Sequence, residues 1–401
     1  MRELFSGRRG RVAAGLLVSE LSTATQALVI AAIMPRVVGD LGGLGEYPLA
    51  FGAFFAAMLI FSPFAGPWGD RYGTRRVFAA GSLTLFAGLA MAALAPTMAA
   101  FTAARFVEGA GDALESVMAF SAIAKSFEES LRPRMLSLLS AAWVLPAIAG
   151  PGLGALVTTL FGWRWAFAAF LPIVAIAALL VIPSIERHAV DESADAFAAL
   201  RTLFSVATLR VRPGMPAALV AFALLHAGFF GGDAYVALML TSVRGISLGA
   251  ASLCITAAAI GWAIAAGFQP KLYERSGAVA MVGAAAACAL FACAAMTAVA
   301  LGAPLALAYT AWALGGAGIG LGYPTIMLVT LASAGEGSEG TASSAALLAG
   351  IGGMLAGIML CGIPVTLAAH GATSLALGTA MTFAVACGFA ALLAASAARL
   401  R

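Results

Sequence analysis

Gly66-Pro67-Trp68-Gly69-Asp70-Arg71-Tyr72-Gly73-Thr74-Arg75-Arg76 is a short hydrophilic interruption between two apolar blocks, 48–68 and 77–95. Its chemistry suits a turn at a membrane edge. Gly66 and Gly69 have no side chain and would let a neighbouring helix close in. Asp70 can accept from a helix N-terminus or pair with an arginine. Gly73 suits a tight turn. Arg71, Arg75 and Arg76 hold the loop on one side of a bilayer.

Outward from this turn the chain repeats one pattern. About 20 apolar residues carry a helix across a bilayer. Twelve such blocks are present, at 12–35, 48–68, 77–95, 98–122, 136–159, 164–183, 215–242, 248–270, 278–301, 304–331, 340–368 and 372–397. Spans of this length are expected to be helices, because in lipid the backbone must satisfy its own hydrogen bonds. Of the 401 residues, 62% are hydrophobic and 10% charged, against about 25% charged in soluble domains. Mean hydropathy is +1.00. This composition excludes a soluble enzyme, a nucleic-acid binder and a disordered scaffold. The net charge of +4 comes from arginines scattered between apolar blocks, with no patch for a polyanion. Cys254, Cys288, Cys293, Cys361 and Cys387 lie within apolar blocks in no ligand spacing, so neither disulfides nor a metal site is expected. No phosphate-binding glycine loop is followed by Lys-Ser/Thr, so no nucleotide is expected.

Lysine and arginine set the orientation. With both termini inside, eighteen of the 22 fall on inner segments, three (Arg36, Arg164, Arg244) outside, and Arg105 within a span. The start, MRELFSGRRGR, then reads as a cytoplasmic tail, and an even number of helices follows. The only long hydrophilic stretch is 184–214, with a short amphipathic helix expected near 196–209. The expectation is an all-α membrane protein of twelve helices in two six-helix bundles, 1–183 and 215–401, joined by a cytoplasmic linker at 184–214. The halves echo each other. Residues 66–73 match 267–277 at an offset of 201, and Glu108-Gly-Ala-Gly-Asp112 matches Gly315-Gly-Ala-Gly-Ile319 at 207. Paired repeats of this kind place a substrate site between them near the midplane.

The 66–75 run resembles the loop signature of the major facilitator superfamily, G-xxx-D-[RK]-x-G-x-[RK], at every fixed position: Gly66, Asp70, Arg71, Gly73 and Arg75. The resemblance implies a twelve-helix transporter in which this loop, Gly69 included, latches the halves during alternating access. Pro146-Ala-Ile-Ala-Gly150-Pro151-Gly152-Leu153-Gly154 resembles the antiporter motif of drug/proton exporters, with Pro146 standing where the family usually has glycine. These residues are expected to bend span 5. Gly162-Trp163-Arg164-Trp165-Ala166-Phe167 is similar to a run common in drug exporters. Ala31-Ala-Ile-Met-Pro35 is similar to the exporter pattern of span 1, but Gln26 occupies its acidic slot.

Ionisable groups inside a bilayer are costly and mark function by default. Span 4 carries Arg105, Glu108, Asp112 and Glu115, within an arc of about 80° at 100° per residue. The stripe should face the interior. Arg105 and Glu108 can pair directly, either as a structural ion pair or, as the family motif R-x-x-x-G-x-G implies, as part of proton transfer. Glu20 in span 1 reads equally as a cation or proton site and as a hydrated vestibule acid. Asp233, in Gly231-Gly232-Asp233-Ala234-Tyr235, is the only acid in the second half's spans, and its glycines suggest a bendable gate. His226 suits packing better than a relay.

Proton coupling is therefore expected at Glu20, Arg105, Glu108, Asp112 and Asp233. Substrate contact is expected at Glu20, Gln26, Glu108, Asp112, Trp143, Asp233, Tyr235 and Trp312. The acidic interior favours cationic or amphipathic compounds, exported in exchange for protons across the cytoplasmic membrane by a monomer. No cofactor is expected beyond the proton gradient. The rival readings are a transporter of one native metabolite, a non-transporting receptor on the same fold, and an integral-membrane enzyme. The last is poorly served by His188, His226 and His370, which lie in three separate places.

Overall fold

A computed structural model describes residues 4–185, 214–334 and 339–400. The expected helix at 196–209, and all of the linker but its ends, lie outside these residues. Every described element is helical. The helices are α1 Gly7–Leu41, α2 Tyr47–Tyr72, α3 Thr74–Leu94, α4 Met98–Ser126, α5 Arg132–Ala141, α6 Val144–Phe161, α7 Trp163–Ala168, α8 Phe170–Val181, α9 Met215–Leu238, α10 Leu248–Ala300, α11 Ala306–Ala332, α12 Glu339–Ala369 and α13 Leu375–Ala397.

Ten described segments are long and apolar enough to cross a membrane. Helix α4 falls outside that set because its 29 residues carry the charged stripe. Helix α10 counts once but cannot cross once. Its 53 residues would extend about 80 Å at 1.5 Å per residue, against a hydrocarbon core of about 30 Å. The chain breaks at Gly277, whose φ of 72° and ψ of 174° are non-helical. Glycine adopts this conformation without a Cβ penalty. The expected spans 8 and 9 are the two arms of α10.

Two expected spans are split. Block 136–159 is α5 and α6, with Ala142 and Trp143 in a turn between them. Block 164–183 is α7 and α8, parted at Ala169. Each break lies just before a proline. A proline ring clashes with the carbonyl four residues earlier and removes one amide bond. Pro146 acts on Ala142, and Pro172 on Ala168.

The expected inner segments gather at one end of the first bundle. Arg9 pairs with Glu128 at 3.0 Å. Arg8 donates to the Ser184 carbonyl at 2.7 Å, and Lys125 to Thr74 Oγ1 at 2.9 Å. The expected outer segments pair among themselves. Arg164 reaches the Ala95 carbonyl at 3.0 Å, and Arg244 the Val299 carbonyl at 2.6 Å. In the first unit, segments expected on the same side of the membrane thus meet each other.

The chain forms two compact units, residues 1–30 with 53–204 and residues 31–52 with 205–401. Segment 31–52 thus packs with the second unit. Thr366 Oγ1 donates to the Gly45 carbonyl at 3.0 Å, and Tyr47 Oη to the Ala234 carbonyl at 2.8 Å.

Candidate functional site

Helix α4 starts on Thr97, whose side chain accepts from the Ala100 amide at 3.2 Å. It is clamped on both sides by contacts only glycine permits. A Cβ on Gly109 would overlap the Phe54 carbonyl of α2, and one on Gly111 would overlap the Leu85 amide of α3. In return a Cβ on Gly88 of α3 would stand 2.5 Å from the Glu108 nitrogen. Backbones this close give the dispersion contact that associates helices in lipid. They also drive the stripe into the protein. Arg105, Glu108, Asp112 and Glu115 are each at most 4% exposed.

Each acid then has its own partner. Glu108 Oε1 pairs with Arg105 Nη1 at 2.5 Å, and the guanidinium lies over the Phe54 ring, 4.4 Å from its centroid. Asp112 Oδ1 accepts from Thr23 Oγ1 at 3.0 Å. Glu115 Oε1 accepts from Ser19 Oγ. Glu20 Oε1 accepts from Trp143 Nε1 at 2.6 Å. Gln26 donates to Ser22 Oγ at 2.9 Å. Among the described residues only Glu108 of these acids is matched by a cation.

Sequence reasoning missed Ser19 and Thr23. The available signal was the recurrence Ser19-Ser22/Thr23-Gln26, which lays a polar row along one face of α1. Trp143 is held by the break before α6 and is 38% exposed. Two of the motif glycines face α1: a Cβ on Gly154 would stand 2.6 Å from Val29, whereas Gly150 has only ordinary contacts with Thr25 and Leu28, and Gly152 meets nothing within 4 Å. Gly154 therefore serves close approach, and Pro146 accounts for the helix break.

The second unit repeats the clamp without the charges. A Cβ on Gly316 of α11 would overlap the Ala258 carbonyl in the first arm of α10, and one on Gly318 would stand 2.8 Å from the Ala285 carbonyl in the second. Asp233 Oδ1 accepts from Trp312 Nε1 at 2.8 Å. Tyr235 Oη donates to the Ile358 carbonyl at 2.8 Å. Tyr235 and Trp312 have no exposed surface, so everything they touch here is protein. Gly231 and Gly232 do not bend α9, which stays helical through them. They make room instead, Gly231 for the Gly357 backbone and Gly232 for the Trp312 ring. The departure from α geometry comes later, in a π-helical turn at Met239–Val243. His226 Nδ1 is bonded to the Phe222 carbonyl at 2.7 Å, and its ring stacks on Phe230.

In the 66–75 loop, Gly73 ends one helix and begins the next with φ 89°. Gly69 admits Met118, whose Cε would stand 2.7 Å from an added Cβ. Gly66 faces open space and meets nothing within 4 Å, so no helix contact in this structure requires it. Asp70 and Arg71 are exposed, and Arg75 is half-buried.

The structure thus gathers Glu20, Gln26, Arg105, Glu108, Asp112 and Trp143 in the first unit, and Asp233, Tyr235 and Trp312 in the second. The family model of the Major Facilitator Superfamily matches residues 15–358. Multidrug resistance protein 3 of Bacillus subtilis (strain 168) is 29% identical over 171 residues, 43% of this chain and 33% of that protein. Multidrug resistance protein MdtL of Shigella flexneri serotype 5b (strain 8401) is 31% identical over 139 residues, 34% of this chain and 36% of that protein. The chain spans about a third of the length of these relatives. Among solved structures, a bacterial homolog of the human lysosomal transporter Spinster, inward-facing and occupied, superposes with a TM-score of 0.74 at 16% identity, covering 98% of this chain and 97% of that one. An auto-inhibited POT family peptide transporter gives 0.73 at 17%, with 98% and 97% covered. At such identities the likeness concerns the fold alone. The family match, the paired glycine clamps and the loop signature agree: this chain belongs to the Major Facilitator Superfamily.

Proposed function

We propose that the chain exports small amphipathic or cationic compounds in exchange for protons, by alternating access. The observation that carries this reading is the buried row of acids. Glu108 has an arginine, but among the described residues Asp112, Glu115 and Glu20 have only hydroxyl or indole donors. An uncompensated charge in a membrane interior is expensive. A proton or a cationic substrate would relieve it, and competition for the same acids couples the two. The named multidrug relatives support the same substrate class. The positive-inside pattern supports cytoplasmic termini in a cytoplasmic membrane. The protein would work as a monomer, with the proton gradient as its only energy source.

The test is proton release from the purified protein at low buffer capacity, on adding a panel of lipophilic cations and neutral drugs. Wild type is compared with Glu20→Gln, Glu108→Gln, Asp112→Asn and Asp233→Asn. Release with some compound, abolished by one neutralisation, is the expected result. Binding without release from any variant overturns proton exchange and leaves a facilitator or a receptor.

A further inference from the structure

Among the described residues Asp233 is the one buried acid of the second unit, and it has no ion pair. It is 9% exposed. Its hydrogen-bonding partner is the Trp312 indole, and that indole is itself fixed. It stacks on Phe229 at 5.4 Å and 12°, and meets the edge of Phe383 at 6.0 Å and 75°. Gly232 lets the ring approach α9, since a Cβ there would stand 2.8 Å from Cη2. Among the described residues, the titratable groups of neighbouring elements close enough to feel the charge of Asp233 are Tyr47 and Cys254. The next two residues of α9 are tied as well, Ala234 by Tyr47 and Tyr235 to Ile358. A change of charge at Asp233 therefore acts on a junction of α9, α11, α12 and the start of α2.

The repeat gives this pair its meaning. At the offset of 207, Trp312 occupies the place of Arg105. A guanidinium cancels the charge of its carboxylate, whereas an indole N–H only donates a hydrogen bond. We propose that Trp312 is a positioning residue for Asp233, and that Asp233 is the exchangeable acid of the second unit. The indole holds Oδ1 and orients the carboxylate. Its Oδ2 takes the proton as a cationic substrate leaves, and returns it when substrate binds. This rests on the proton-exchange reading above and adds a site and a holder to it.

The experiment uses the full chain, with tetraphenylphosphonium as the probe. Trp312→Phe keeps the ring stack and loses the donor. Trp312→His keeps a ring N–H. Infrared difference spectra between acid and alkaline buffer read the carboxyl stretching band, and vesicles read probe transport. Asp233→Asn is expected to delete one carboxyl band. Trp312→Phe should keep that band at a displaced frequency and slow probe transport about tenfold at unchanged probe binding, the size of one lost hydrogen bond. Trp312→His should restore part of both. A band that Trp312→Phe leaves in place, or that Asp233→Asn fails to remove, overturns the proposal. Should Trp312→Phe not fold, the pH dependence of tryptophan emission in Trp143→Phe, which removes the indole held by Glu20, carries the test; its persistence on adding Asp233→Asn overturns the proposal. A wild type that releases no proton with any compound defeats the exchange reading and with it the exchange role of Asp233, whereas the band reports separately whether Trp312 holds Asp233.

Discussion

Helix α4 and helix α11 stand 207 residues apart and use the same glycines, Gly109 with Gly111 and Gly316 with Gly318, to meet the helices on either side. The scaffold is therefore duplicated. The chemistry is not: Arg105, Glu108, Asp112 and Glu115 align with Trp312, Gly315, Ile319 and Gly322. Backbone packing in lipid needs small residues at fixed positions, so the repeat keeps them. The positions between are free to differ, and one helix has become a row of acids while the other has become an aromatic and aliphatic surface. The one acid that the second unit buries, among the described residues, sits on α9, and the residue aligned with Arg105 still reaches it.

The largest effect should come from removing the first unit's cation. Arg105→Gln leaves Glu108 buried without its partner, which costs about 3–5 kcal/mol where such pairs have been broken. Trp312→Phe removes only a neutral donor and should cost about 1–3 kcal/mol. Thermal unfolding in detergent would measure both. The double variant Arg105→Gln/Glu108→Gln should recover most of the loss, since the charge and its partner go together. Equal costs for Arg105→Gln and Trp312→Phe would erase the distinction between a neutralised acid and a merely oriented one.

How far this was readable from sequence differs by feature. The spans were legible because hydropathy alone decides them, and the alternation of ends because arginines stay out of lipid. The α4 stripe was legible because four ionisable residues share one face of a helix that must otherwise be apolar. The breaks at Ala142 and Ala169 lie just before Pro146 and Pro172, yet an apolar window runs through them unmarked. Ser19 and Thr23 were missed because a hydroxyl bonds its own helix as readily as another. Thr25 does so here, donating to the Leu21 carbonyl. The bond from Trp312 to Asp233 joins residues 79 apart, and no local pattern announces it. Gly231-Gly232 reads in sequence as flexibility and acts in the structure as space for a backbone and a ring.

The next effect tests the shared scaffold. Gly109→Ala and Gly316→Ala place a methyl on a neighbouring carbonyl, so the helices must part. Each should cost about 3 kcal/mol, the upper range for overpacking a close contact. Similar losses in the two variants would bear out the duplication. A harmless Gly316→Ala beside a damaging Gly109→Ala would mean that only the charged unit depends on the clamp.

The smallest effect separates packing from latching. Gly66 lies inside α2 with nothing within 4 Å of an added Cβ. Alanine there meets nothing beyond its chain neighbours; the gain of about 0.5–1 kcal/mol from glycine's backbone freedom is offset by Pro67, whose ring disfavours helical geometry in a preceding residue with a Cβ, so stability should change little. Its neighbour Gly69 already touches Met118, so Gly69→Ala lacks that freedom from contact. Thermal unfolding gives the stability, and vesicle uptake of tetraphenylphosphonium gives the function. If Gly66→Ala is as stable as wild type yet transports poorly, the glycine is required in another arrangement of the helices, as a latch demands. If both stability and transport are unchanged, Gly66 belongs to neither the packing nor the latch, and the loop's function narrows to Asp70, Arg71, Gly73 and Arg75.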